Sequence, residues 1–419
     1  MFACPPVPPA PPPRADRPRY TLDVRIANDL KTVEGDVTVR FTPNRPTSRL
    51  VFRLWPNGPL QRREGSQLVV GDATAGGKTL PAARPDPTTL VLHATLGAGQ
   101  TITVHLPWKL TVPLEARDRI SRFTSGIRLG SFFPVLAWDP RRGWVTDPPA
   151  RILSESSTTP TADFDVHVEA PHGMQAIVSG TQVAPGRWHA HAVRDVGVAA
   201  ARFAVVTAIA HAPRPVTVRV AVARSASARG PAALRMATSA LRRLSRLYGP
   251  YRWATYTVVV PPDLHSAGIE YPTLTFIGAS PILRLIVDHE TAHQWFYSLV
   301  GNDQARDPWL DEALATWGEV QLGAGLPGSI ASEPAADFRH VGASMSYWNT
   351  HELGYFHDVY GGGVVALASL GPAVKVNCAL RRYAARNAYR IAQPGDLLEA
   401  LERIIPGAER RLRRFGIHR

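Results

Sequence analysis

The sequence predicts a chain in two parts, a β-rich amino-terminal part of antiparallel strands followed by an α/β part whose helices come late. Three observations lead to this fold class. The 419 residues suit two or three domains. The combination of 45% hydrophobic and 19% charged residues is typical of globular proteins, and the hydrophobic pattern changes period near Pro213. We therefore expect a Pro-rich segment at 1–18, a β-rich domain at 19–211 and an α/β domain at 212–419.

Alternation of apolar and polar residues predicts the strands of the first domain. Tyr20 to Ile26 and Val37 to Phe41 alternate with period two, which is the pattern of a strand with one buried face. Turn residues such as Gly71-Asp72 separate these short runs.

The second part carries longer helical patterns. Pro231 opens a predicted helix with an apolar stripe, and Gly249 ends it. Strands are predicted at 256–260 and 271–277, and further helices near 283–300, 308–322, 361–370 and 396–405.

Charge and hydropathy exclude two classes of partner. The formal net charge is +13, but only four of the 47 basic residues are Lys, which indicates an Arg-rich composition and not a nucleic-acid surface. A membrane-spanning helix needs about 20 apolar residues. The best run, Val198 to Ala210, is shorter and contains Arg202. We expect neither nucleic-acid binding nor a membrane span.

Two cysteines, Cys4 and Cys378, are too few for a disulfide framework or a cysteine-based zinc cluster. Residues 1–15 lack the basic start and apolar core of a signal peptide, and Pro5 to Pro13 predicts an extended tether. Cys4 before such a tether fits a lipid anchor after removal of a signal, or a cysteine in a flexible tail. Localisation stays open, with only these features favouring an extracytoplasmic protein over a cytoplasmic one.

The sequence His289-Glu290-Thr-Ala-His293 predicts a metal site. On a helix, positions i and i+4 lie on the same face, so both imidazoles can bind one ion. Glu290 is then placed to act as general base on a metal-bound water. A catalytic zinc takes three protein ligands, and Glu312, on the next predicted helix, completes a set of two His and one Glu.

We expect different roles for two acidic residues near Glu312. Glu319 lies seven residues after Glu312 on the same helical face, where it either orients a ligand or is a solvated surface carboxylate. Asp311 is expected to point elsewhere on the helix and is left out of the site.

Gly268-Ile269-Glu270, followed by the His-Glu-x-x-His motif and by Glu312, resembles the aminopeptidase N and leukotriene hydrolase family of zinc metallopeptidases, which are gluzincins. The family motif is Gly-x-Met-Glu-Asn, so Ile269 replaces Met and Tyr271 replaces Asn. The resemblance implies that Glu270, with Gly268, binds the free amino terminus of a peptide. It also implies a β-sandwich-like amino-terminal domain and a thermolysin-like catalytic domain.

The family also has a tyrosine that stabilises the oxyanion, downstream of the last zinc ligand. Tyr360, before Gly361, matches its position best, and Tyr355 is the second candidate. A phenol near the metal can donate a hydrogen bond to the developing negative oxygen.

The resemblance therefore implies an aminopeptidase with one Zn²⁺ per chain and with peptides as substrates. Two alternatives remain: cleavage of longer or blocked peptides, and a non-catalytic peptide-binding or scaffold member that kept the fold.

Overall fold

The computed structural model describes residues 2–224, 229–265, 267–280, 283–323 and 333–419. The amino-terminal part consists mainly of strands, with a 3₁₀ helix at Trp55–Asn57 and a short α-helix, α1 (Pro59–Arg63). The strands are β1 (Arg19–Ile26), β2 (Thr32–Phe41), β3 (Thr47–Arg53), β4 (Gln67–Val70), β5 (Thr74–Ala75), β6 (Lys78–Thr79), β7 (Ala82–Asp86), β8 (Thr89–Leu96), β9 (Ile102–Thr111), β10 (Ser121–Phe123), β11 (Gly126–Gly130), β12 (Val135–Leu136), β13 (Trp138–Asp139), β14 (Gly143–Trp144), β15 (Ala162–Glu169), β16 (Gln175–Val178), β17 (Thr181–Ala184), β18 (Arg187–Val193) and β19 (Gly197–Ala201).

These strands form a large sheet and several small ones. The nine-stranded sheet has the order β17-β18-β15-β1-β2-β9-β5-β6, with β4 also paired to β9. Its pairs are antiparallel except β1 with β15, which run parallel. Burial alternates along β1 as the period of two predicts, and its inward residues, such as Leu22, join one hydrophobic core with residues of the smaller sheets.

The second part is built on a five-stranded mixed sheet of order β20-β21-β22-β24-β23. Its three central strands are parallel and the two outer ones antiparallel. The strands are β20 (Phe203–His211), β21 (Pro215–Ala223), β22 (Thr255–Val260), β23 (Gly268–Tyr271) and β24 (Leu274–Ile277).

Helices cover this sheet and complete the chain. The first three are α2 (Gly230–Tyr248), α3 (Leu283–Ala292) and α4 (Trp309–Gln321). As predicted, α2 has Pro at its start and ends at Gly249, whose φ of 102° lies in the region that favours glycine. Later helical segments are Met345–Trp348, Glu352–Tyr355, a π-helix at Phe356–Gly362, Gly363–Ala368, Ala373–Arg386, Pro394–Ile404 and Ala408–Leu412.

Strand pairing differs from the domain boundary that the sequence predicts at 211. β20 pairs with β21 along its whole length, from Phe203 with Ala223 to His211 with Pro215. It therefore belongs to the sheet of the second part, and the division between the sheets falls near residue 202. Its period-two pattern made it look like one more strand of the first domain, because periodicity does not tell which sheet a strand joins.

The predicted helix at 283–300 is wrong in its second half, because α3 ends at Ala292. The chain then turns, with Ser298 N–H donating to the His293 carbonyl and with Tyr297 at a φ of 112°. The apolar residues beyond the helix, such as Trp295, are buried core residues in irregular structure.

The predicted strand at 271–277 is also divided, because a turn at Thr273, with a φ of 65°, separates β23 from β24. The two strands form an antiparallel hairpin in which Glu270 pairs with Thr275. This hairpin places the Gly-Ile-Glu sequence on the outer strand of the sheet.

The Pro-rich segment is docked on the protein, which corrects the expectation of a free tether. Cys4 and Cys378 form a disulfide across 374 residues, and this link was not predicted. Pro6 and Ala10 continue the contact, through a hydrogen bond to Arg382 and packing against the core of the second part. Because the Cys4 sulfur is bonded to Cys378, it is not available for the lipid anchor that the sequence allowed.

In the part of the chain that the structure describes, no single helix has the length and apolarity to cross a membrane. The helices of Glu352–Ala368 and Ala373–Arg386 meet this test only as a pair bent by 114°.

Candidate active site

Three elements bring the predicted site residues together. The outer strand β23 carries Gly268 and Glu270, and α3 packs against it. The last turns of α3 and the residue after it supply His289 and His293, while α4, packed against α3, supplies Glu312. All of the predicted metal ligands are buried.

The three predicted ligands form a compact group. The Nε2 atoms of His289 and His293 are 3.0 Å apart, and the Glu312 Oε2 lies 3.3 Å from the first and 3.4 Å from the second. Ligand atoms at 2.0–2.1 Å from a tetrahedral zinc lie roughly 3.3 Å from one another. The spacing of these three atoms therefore fits a zinc ion.

The chemistry of the donors fits a cation as well. The Nδ1–H of His289 donates to Glu319 at 3.2 Å. The Nδ1–H of His293 donates to the Phe296 carbonyl at 3.1 Å, and the Asp311 carboxylate forms an ion-pair contact with the same nitrogen at 2.7 Å. With both Nδ1 atoms holding the proton, each Nε2 presents a lone pair to the centre of the group. The Glu312 carboxylate supplies the negative charge.

Without a metal, protons occupy this group. Burial lowers the pKa of His289, but hydrogen bonds to Glu312 and Glu319 outweigh it and raise that pKa to about 9. Burial raises the pKa of Glu312, whereas the hydrogen bonds from His289 and His293 hold it well below its ordinary value. Metal binding therefore competes with protons here.

The ligands line a cavity of about 410 Å³ between the two parts of the chain. The amino-terminal part contributes the segments 117–119 and 153–155, and the second part contributes β23, α3, α4 and the π-helix. Apolar walls with a few convergent polar groups are typical of a substrate site. The cavity is lined by Arg117, Asp118, Arg119, Leu153, Ser154, Glu155, Ala267, Gly268, Ile269, Glu270, Leu285, Ile286, His289, Glu290, His293, Glu312, Glu319, Phe356 and Tyr360.

Glu290 points into this cavity and lies directly over Gly268. A Cβ atom at position 268 would be 2.1 Å from the Glu290 Oε1, so the close approach requires glycine. Among the described residues, none gives the buried Oε2 of Glu290 a hydrogen bond. Burial raises the pKa of Glu290 to about 7, despite the nearby positive charges of His289 and His293. A carboxyl group in this state is suited to taking and returning a proton.

Glu270 lies close to Glu290 and His293, with one ligand-type atom of each within 4.8 Å of the others. Its Oε1 is buried and has no hydrogen-bond partner within the described ranges. Burial, and then the negative charge of Glu155, raise the pKa of Glu270 well above its ordinary value. A cationic group bound beside Glu270 would relieve both effects.

Glu155 is a site residue that the sequence analysis missed. It lines the cavity, forms a buried group with Glu270 and Asp311, and is paired with Arg119. Because Glu155 lies 115 residues before Glu270 in the chain, no local spacing could have indicated their contact.

The structure distinguishes the two candidate tyrosines. The ring of Tyr360 stacks on that of His289, with centroids 5.7 Å apart and planes at 11°, and it lines the cavity. Burial and the negative charge of Glu312 raise its pKa, so the phenol keeps its proton. Tyr355 is fully buried, and its oxygen accepts a hydrogen bond of 2.7 Å from Ser154. Tyr360 is therefore the phenol with access to a substrate.

The position of Asp311 contradicts the expectation that its side chain points away from the metal site. It is 1% exposed, and its Oδ1 is 2.7 Å from the Nδ1 of His293. The same carboxylate accepts a hydrogen bond of 2.6 Å from Gln304. Helical periodicity predicts that adjacent residues such as Asp311 and Glu312 point in different directions. It does not predict that His293, beyond the end of α3, lies beside the start of α4, where Asp311 can reach it.

Comparison with known proteins supports the prediction of a zinc metallopeptidase. Residues 233–331 match the peptidase family M1 domain. The aminopeptidase RNPEPL1 of Mus musculus is 34% identical over 177 residues, which cover 38% of this chain and 24% of that protein. The chain thus spans about a quarter of the length of this relative.

Solved structures show the same fold over nearly the whole chain. The M1 zinc metallopeptidase from Deinococcus radiodurans has a TM-score of 0.68 at 21% identity, covering 96% of this chain and 94% of that one. A mutant of that enzyme bound to a Tyr-Ser-Ala substrate gives 0.66 at 20% identity, with 96% and 95% covered. This likeness confirms the predicted fold class of a β-rich domain followed by a thermolysin-like domain.

The resemblance seen in the sequence is confirmed by the M1 domain match, by the aminopeptidase relatives and by the shared fold. The group formed by His289, His293 and Glu312 fits the zinc ion that gives the family its name. The chain is similar to the aminopeptidase N and leukotriene hydrolase family of zinc metallopeptidases, peptidase family M1, whose domain it matches over residues 233–331.

Proposed function

We propose that this protein is a zinc-dependent aminopeptidase that removes amino-terminal residues from peptides. His289, His293 and Glu312 would hold the zinc ion. Lewis-acid polarisation of a carbonyl and acidification of water are the chemistry that zinc supplies when bound there. The relative RNPEPL1 is an aminopeptidase, which supports the same reaction class.

One observation carries the proposal: the Glu290 carboxylate is buried, faces the cavity, and has a free Oε2 beside the metal ligands. Glu290 takes the proton of the attacking water at this oxygen. It then delivers that proton to the nitrogen of the departing amine, so the group returns to its starting state.

Three other side chains orient the peptide. Glu270 and Glu155, whose oxygen atoms lie within 4.8 Å of one another, accept hydrogen bonds from the α-ammonium group. Tyr360 donates its phenol proton in a hydrogen bond to the carbonyl oxygen as negative charge develops there. Together these contacts fix the first peptide bond for attack, which favours an aminopeptidase over an endopeptidase.

The test is hydrolysis of a panel of fluorogenic aminoacyl amides, with and without an amino-terminal blocking group. Zinc-loaded protein is compared with Glu290→Gln, and with Glu169→Gln as a matched control at the exposed end of β15 in the first part. We expect activity on unblocked substrates that needs both Glu290 and metal. Activity that persists in Glu290→Gln would refute the assignment of the base, and preference for blocked substrates would refute the role of Glu270.

We also propose an extracytoplasmic location. The disulfide between Cys4 and Cys378 supports it, because disulfides persist in oxidising compartments and are rare in the cytosol. Thiol alkylation of protein taken directly from its native compartment tests this: a free Cys378 in the isolated protein would contradict it.

A further inference from the structure

A buried path of hydrogen bonds and ion-pair contacts joins the amino-terminal part of the chain to one of the predicted metal ligands. It begins at Arg119, which is paired with Glu155. The Nε2 of Gln304 donates to both Glu155 and Asp311, the second at 2.6 Å. Asp311 in turn lies 2.7 Å from the Nδ1 of His293. Neither Gln304 nor Asp311 has a role in the proposed zinc site or in the proposed amine site.

The orientation of the Gln304 amide is fixed by its surroundings. Its Oε1 accepts a hydrogen bond of 3.1 Å from the backbone N–H of Ser157, so the Nε2 must face the carboxylates. The side chain is 2% exposed. Both protons of Nε2 are used, one on Glu155 and one on Asp311. A neutral amide thus separates two carboxylates that would repel each other.

Asp311 is the only carboxylate that approaches the Nδ1 of His293 within hydrogen-bond distance in the described part of the chain. The Phe296 carbonyl also approaches this nitrogen, at 3.1 Å. A carboxylate in this position fixes the ring orientation of a metal-binding imidazole and makes its other nitrogen a stronger donor. His293 follows the end of α3, so it depends on side-chain contacts for its position more than His289 does.

We propose that Gln304 and Asp311 are positioning residues, through which the amino-terminal part of the chain holds His293 in its metal-binding orientation. Arg119 and Glu155 fix Gln304, Gln304 fixes the Asp311 carboxylate, and Asp311 fixes the imidazole. The same amide also fixes Glu155 in the amine pocket. This inference rests on the proposed metal site but not on peptide hydrolysis.

The experiment measures zinc affinity by competition with a chromophoric chelator, so its result does not depend on a substrate. We expect Asp311→Ala to weaken zinc binding about 10–100-fold. Asp311→Asn, which restores an oxygen acceptor, should recover part of this loss. Gln304→Met should weaken binding about tenfold, and the double variant should bind zinc no more weakly than Asp311→Ala alone, because Gln304 acts through Asp311.

Two further readouts separate positioning from a purely structural role. The visible spectrum of the Co²⁺-substituted protein should change in Asp311→Ala and Gln304→Met, since it reports the ligand geometry. Asn57→Leu is the matched control: its amide also makes three hydrogen bonds, to the backbone of Leu68 and Pro87, away from the path. We expect this control to lower the melting temperature without changing zinc affinity or the Co²⁺ spectrum.

Unchanged zinc affinity in Asp311→Ala would overturn the proposal, and so would additive losses in the double variant. Loss of zinc binding in Asn57→Leu to the same extent would show that the effect follows general destabilisation. Failure of the aminoacyl amide assay with normal zinc behaviour would contradict the proposed function and leave this path supported.

Discussion

Replacing Gly268 by Ala is expected to inactivate the protein by moving one carboxylate. The added Cβ atom would lie 2.1 Å from the Glu290 Oε1, and 2.4 and 2.5 Å from its Cδ and Cγ. An ordinary contact begins near 3.4 Å, so the Glu290 side chain must retreat by roughly 1.3 Å. Gly268 does not have a positive φ, so the backbone itself accepts alanine.

The size of the effect follows from this displacement. A misplacement of about 1 Å in a reacting group costs roughly 10²-fold in rate, which corresponds to about 2.7 kcal/mol in activation free energy. We therefore expect kcat to fall about 100-fold, with a smaller change in KM because Glu270 still faces the substrate amine. Zinc content should be unchanged, since the close contacts of the new Cβ are with Glu290 and not with the metal ligands.

The assay is steady-state hydrolysis of an aminoacyl amide, together with zinc content and melting temperature. Gly97→Ala is the control, because a Cβ there meets only the Gln100 side chain, at 3.8 Å. Activity of Gly268→Ala within threefold of the unmodified protein would refute the reasoning, since it would mean that Glu290 can move without loss. Loss of zinc together with activity would also refute it.

Three further predictions concern other parts of the molecule. Tyr360→Phe should lower kcat about 10²–10³-fold with zinc retained, whereas Tyr355→Phe should keep most of the activity in the same assay. Reduction of the bond between Cys4 and Cys378, which closes 374 residues, should lower the free energy of unfolding by about 2–5 kcal/mol, measured as the shift in melting temperature with reductant. Burial raises the pKa of Asp195 to about 6, above its value in the unfolded chain, so its ionised form destabilises the fold as the pH rises above 4. Asp195→Asn should therefore gain stability relative to the unmodified protein by roughly 2–3 kcal/mol between pH 4 and 8, and equal urea midpoints at pH 8 would contradict this.

The predicted metal ligands came from local spacing together with the ligand number of a catalytic zinc. His289 and His293 are one helical turn apart, and Glu312 was chosen because a catalytic zinc takes a third protein ligand. Helical spacing also predicted that Glu319 lies on the same face of α4 as Glu312, and Glu319 reaches His289 at 3.2 Å. Glu270 and Tyr360 were identified only through the resemblance to a family, because a single Glu or Tyr carries no spacing of its own.

Contacts between residues far apart in the chain could not be predicted from the sequence. Glu155 and Gln304 contact each other across 149 residues, and Cys4 reaches Cys378 across 374. Their partners are chosen by how the two parts of the chain pack together, and periodicity reports only which face of an element is buried. For the same reason the sequence found β20 as a strand but not the sheet that it joins.

By itself, the sequence predicted the two-part architecture, the candidate ligand triad and its candidate general base, because each prediction depends on residues close together in the chain or on one repeating pattern. The tertiary structure alone decided what surrounds that triad. It ends α3 at Ala292 and turns the chain so that His293 meets Asp311. It also brings Glu155 from the amino-terminal part to the amine pocket. Those contacts arise from packing between distant segments, whose free energy depends on the whole fold and leaves no local signal in the chain.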